Sequence, residues 1–131
     1  MSLNVPTAMI DAAGRGEIED ADFVAVVRDS LPYAWKVITT VVGDLETDSG
    51  AEYAMHAVAP PDEHARGQLL RSLASDAIRG SLERHFGVRL AFQNCHATAA
   101  FRPEAVGGDF YRRFTSPRSQ VLNQTPELRD C

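Results

Sequence analysis

An apolar stripe between Phe23 and Leu45 constrains this chain more than any other feature. At about 100° per residue, Phe23, Val24, Val27, Leu31, Ala34, Trp35, Ile38, Val41, Val42 and Leu45 fall within an arc of roughly 120°. Arg28, Asp29, Lys36, Thr39, Thr40, Asp44 and Glu46 fall outside it. A stripe of this width demands a helical segment that buries one face. Pro32 lies in its middle and cannot donate a backbone hydrogen bond. Two arrangements satisfy that constraint. One is a single helix kinked at Pro32. The other is a pair of helices over 21–29 and 31–46, with Asp29 or Ser30 capping the second and Pro32 in its first turn. The Asp29-Ser30-Leu31-Pro32 run favours the break, and the matched phase across Pro32 favours continuity. Asp20 and Asp22 supply a cap and favourable charge at the start of the stripe.

Further along, Thr47-Asp48-Ser49-Gly50 is a stop and turn. Residues 52–58 read as a strand between turn signals. Pro61-Asp62-Glu63 opens a second helix that runs to His85 and stops at Gly87. Its apolar residues form two rows at i+4 spacing: Ala65, Leu69, Leu73, Ala77, and Leu70, Ala74, Ile78, Leu82, Phe86. The alternation of Val88, Leu90 and Phe92 predicts a strand over 88–93. A second strand over 97–101 returns after a loop at 93–96, with a short helix over 94–101 as the rival. Beyond Pro103 the apolar residues are scattered, but Phe110, Tyr111 and Phe114 have the spacing of one docked turn.

The fold class that follows is α+β: two or three amphipathic helices on a small, mostly antiparallel sheet, with an extended C-terminal tail. Residues 1–19 are expected to be a flexible lead-in, 20–102 the domain, and 103–131 a partly ordered tail or docking arm. No run of apolar residues is long enough for a membrane span, and no secretory leader is visible, so a cytoplasmic protein is expected. The two cysteines, Cys95 and Cys131, make no disulfide framework. Net charge is −5, and residues 1–50 carry nine acids against three bases, which argues against nucleic acid as a partner. Arg112-Arg113 is a short basic spot between acids, too small for a nucleic-acid patch.

Candidates for chemistry are sparse. Gln93-Asn94-Cys95-His96 gathers three hydrogen-bonding side chains and a nucleophile, so Cys95 and His96 are the catalytic candidates. Adjacent strand residues point to opposite faces, so this pair cooperates only across a turn, and a packed cysteine is the plain alternative. His56, His64, His85 and His96 lack metal-ligand spacing, so no metal and no cofactor is expected. Asp62-Glu63-His64 reads as ordinary helix-start chemistry. Tyr33 lies off the centre of the stripe and suits a partner or ligand contact, whereas Trp35 lies within it and suits the core. Tyr33, His56, Gln93 and Asn94 are therefore the candidate ligand-binding residues. With no catalytic motif, the expected function is a small interaction or accessory protein that pairs with itself as a homodimer or with another protein. A small-molecule binder or enzyme with a pocket near Cys95 and His96 is the alternative, and a metal site assembled in space is a remote one.

Overall fold

The computed structural model describes residues 2–93 and 97–122. A short helix, α1 (Thr7–Gly14), precedes α2 (Asp20–Ser30) and α3 (Pro32–Thr47). Strand β1 (Tyr53–His56) follows, then α4 (Glu63–Ala74) and α5 (Asp76–Phe86). Strands β2 (Arg89–Phe92) and β3 (Thr98–Phe101) lead through a 3-10 turn (Pro103–Ala105) to α6 (Asp109–Phe114) and α7 (Pro117–Leu122). The architecture is α+β, as the patterning predicts. The sheet is antiparallel throughout, in the order β1–β3–β2, with Tyr53 and Arg89 both opposite Phe101.

The stripe forms two helices, and the break falls at Leu31, whose φ is −127° and ψ is 62°. Leu31 is itself fully buried, so phase is kept across the break. Val24, Val27, Leu31, Ala34, Ile38, Val41, Val42 and Leu45 all lie in the core, joined by Val37 from outside the arc. Burying a valine or leucine side chain contributes about 1.5–3 kcal/mol. Summed over the stripe, that far exceeds the roughly 1 kcal/mol of a backbone hydrogen bond lost at a proline. Trp35 is only partly buried, at the core's edge, where it meets Phe86 with ring centroids 5.4 Å apart.

The expected caps are replaced. Neither Asp29 nor Ser30 caps α3: Arg28 pairs with Asp29, and Ser30 Oγ accepts from the Asn4 N–H at 2.9 Å. The first free N–H groups of α3 donate instead to Gln68 Oε1 on α4, from Tyr33 at 2.7 Å and Ala34 at 3.2 Å. At the other end, Arg102 donates to the carbonyls of Leu45 (2.7 Å), Asp48 (2.8 Å) and Ala51 (2.6 Å). Asp20 likewise is not an N-cap. It lies in the first turn of α2 and pairs with Arg84 of α5 at 2.8 Å.

The second long helix also divides. Ser75 adopts an extended conformation and its Oγ accepts from Ile78 N–H at 3.3 Å, capping α5. Arg79 donates to the Leu73 carbonyl at 2.8 Å, closing the end of α4. The break resets the helical phase. The buried row Ala65–Leu69–Leu73 hands over to Ile78 and Leu82, leaving Leu70, Ala74 and Ala77 exposed. Gly87 then ends α5 in the left-handed region at φ 67°.

The sheet is covered on both faces. Ala54, Leu90, Phe92 and Ala100 face the helical layer. Tyr53, Ala91, Ala99 and Phe101 face α6, where Phe110 stacks on Tyr53 at 3.8 Å and Phe114 meets Phe101 at 5.8 Å. Among the described residues, no helix is long and apolar enough to cross a membrane.

Candidate functional site

The sequence candidates do not gather at one place. Asn94, Cys95 and His96 lie outside the described residues. His56 ends β1 opposite Thr98, on the side of the sheet that faces the helical layer. Its Nδ1 and the Thr98 Oγ1 are buried without hydrogen-bond partners among the described residues. Tyr33 is partly buried at the start of α3, and burial, then the charge of Asp62, pushes its hydroxyl pKa up. Gln93 belongs to the opposite side of the sheet. It is buried, and its Nε2 donates to the Phe114 carbonyl at 2.9 Å and to Ser119 Oγ at 2.8 Å. Gln93 therefore fastens α6 and α7 to the end of β2. Among the described residues, no three of His, Cys, Asp and Glu converge as metal ligands.

Two surfaces stand out. The first is the outer edge of β1. Arg102 N–H donates to the Glu52 carbonyl, so residues 52, 54 and 56 direct their backbone groups toward β3. The intervening groups, those of Tyr53 and Met55, point outward. Met55 is 47% exposed, and Val58, just past the strand, is 64% exposed. The outer edge of β2 is occupied at Leu90 by a side chain. There the Leu90 N–H donates to Glu83 Oε2 at 2.8 Å, and Arg89 pairs with the same carboxylate at 3.3 Å.

The second surface is a cavity of about 550 Å3 between the sheet and α6–α7. Met55, Phe110 and Phe114 give it an apolar floor, and Arg112, Arg113 and Arg118 line it. These arginines lie in a stretch whose spacing suggests only one docked turn. The doublet Arg112-Arg113 is visible in the sequence, but Arg118 joins it only because α7 folds back over the sheet end.

The model of the family described as NucS shadow ORF matches residues 1–131, the whole chain. The chain belongs to the NucS shadow ORF family. That description names a reading frame and no activity. No curated protein and no solved structure matches the chain.

Proposed function

We propose that the chain is a small interaction protein that pairs with a second copy of itself through β1, joining two three-stranded sheets into one. The observation that carries this is the contrast between the sheet edges. One has its Leu90 N–H taken by Glu83, while the other presents the outward backbone groups of Tyr53 and Met55 beside exposed apolar side chains. An unpaired edge of this kind is a template for a further strand.

Symmetry narrows the register. Two β1 strands related by a two-fold axis run antiparallel, and only residues with outward groups exchange hydrogen bonds. Centring the axis on Ala54 pairs Tyr53 with Met55 of the second copy, and the converse. It also sets Glu52 opposite His56 on each side of the axis, an acid facing an imidazole. That complementarity favours a second copy over an unrelated strand.

Sedimentation equilibrium of the full chain at micromolar concentration tests the proposal, with Met55→Pro as the partner variant. Because the Met55 N–H points away from β3, proline there leaves β1–β3 pairing intact and blocks the outer edge. The expected result is a wild-type dimer and a monomeric Met55→Pro with unchanged far-UV circular dichroism. A monomeric wild type, or a variant that stays dimeric, overturns it.

A further inference from the structure

We propose that the cavity between the sheet and α6–α7 binds a small organic phosphate, with the arginines on the phosphate and the apolar floor against the organic portion. The cavity is of a size that takes a small molecule. Its composition is divided in the way such a ligand requires. Phe110, Phe114 and Met55 supply apolar surface, while Arg112, Arg113 and Arg118 supply cationic donors. Guanidinium groups match phosphate oxygens in charge and in their forked geometry.

The charge distribution makes the cluster unusual for this chain. Acids outnumber bases by eighteen to thirteen overall, yet three arginines meet at this one cavity. Arg112 is paired with Asp109. Among the described residues, neither Arg113 nor Arg118 has a carboxylate partner, and Arg113 lies over the Phe110 ring at 5.5 Å from its centroid. The charges of Arg113 and Arg118 have no carboxylate to offset them, and an anion between them supplies that counter-charge. Gln93 is a positioning residue here. By donating to the Phe114 carbonyl and Ser119 Oγ it holds the two helices that carry the arginines. The inference stands apart from self-association, since all three arginines come from one chain.

Phenyl phosphate is the probe, followed by 15N chemical shifts of the full chain at constant ionic strength. Saturable shifts confined to the Gln93, Met55 and 109–119 amides are expected. Inorganic phosphate should bind at least tenfold more weakly, because it lacks the body that meets the apolar floor. The double variant Arg113→Gln/Arg118→Gln should lose at least tenfold in affinity while its melting temperature stays within about 2 °C, as for surface substitutions. Non-saturable or scattered shifts, or an undiminished response in the double variant, overturn the proposal. Tighter binding of a single-stranded oligonucleotide than of phenyl phosphate overturns the small-ligand class.

Discussion

Replacing Gln68 by methionine should destabilise the chain far more than its conservative shape suggests. Gln68 is only 3% exposed, and its Oε1 is the acceptor for two N–H groups at the start of α3. Methionine keeps the length and most of the volume but removes that acceptor. Loss of an N-terminal cap costs about 1–2 kcal/mol. A second N–H stranded away from water adds about 1 kcal/mol more. The sum, about 2–3 kcal/mol, corresponds to a fall in melting temperature of roughly 10 °C in a domain of this size. Gln68→Ala should cost a further 1 kcal/mol or more, roughly, because it also opens a cavity. Leu70→Met on the same helix is the control: Leu70 is 44% exposed and the change should lie within about 0.5 kcal/mol of wild type. Urea denaturation gives the free energies. Hydrogen exchange gives the location, since the Tyr33 and Ala34 amides should lose protection before those of α5. If Gln68→Met melts with the wild type, or if those two amides exchange no faster, the capping role is refuted.

Two further outcomes follow from the same contacts. Gly87→Ala should cost about 1 kcal/mol through backbone strain alone, because a Cβ there meets no atom within 4 Å while φ is 67°; an alanine variant as stable as wild type would contradict this. The hydrogen bond from Arg84 holds the Asp20 carboxyl below its usual pKa. A carboxylate whose folded pKa is depressed adds stability above its unfolded pKa and loses it as pH falls through the folded value. The melting-temperature gap between wild type and Asp20→Asn should therefore be largest near neutral pH and close in acid; a gap constant across that range would exclude the pair as its source.

Much of the helical layer was legible in the sequence because its information is local and periodic. The stripe from Phe23 to Leu45 fixes a buried face whether or not Pro32 divides it, and the alternation at Val88, Leu90 and Phe92 marks a strand. The Ser75 break was concealed by the i+4 rows, which continue through it on paper although Ala74 and Ala77 are exposed. The capping of α3 was illegible for a different reason. Gln68 is 35 and 34 positions from the amides it serves, and no local pattern encodes that proximity. The candidate surfaces were visible only in fragments. Gln93 stood out as a polar residue at a turn, but its partners Phe114 and Ser119 belong to helices with short, scattered apolar content. Those helices have a surface to cover only once β1, β2 and β3 have paired.

The remote fastening of α3 bears on how the chain is assembled. The carbonyl of Leu45 waits for a guanidinium 57 residues downstream. During synthesis the helix therefore emerges without its remote partners, and its N-terminal turn is secured when α4 arrives. Its C-terminal turn, held locally by the Asp48 N–H on the Leu45 carbonyl at 3.4 Å, gains the Arg102 guanidinium only when β3 has been made. The apolar stripe thus writes the helix early, while Arg102 ties its last turn to the sheet only once β3 is in place, so that the helix and the sheet reach their final form together.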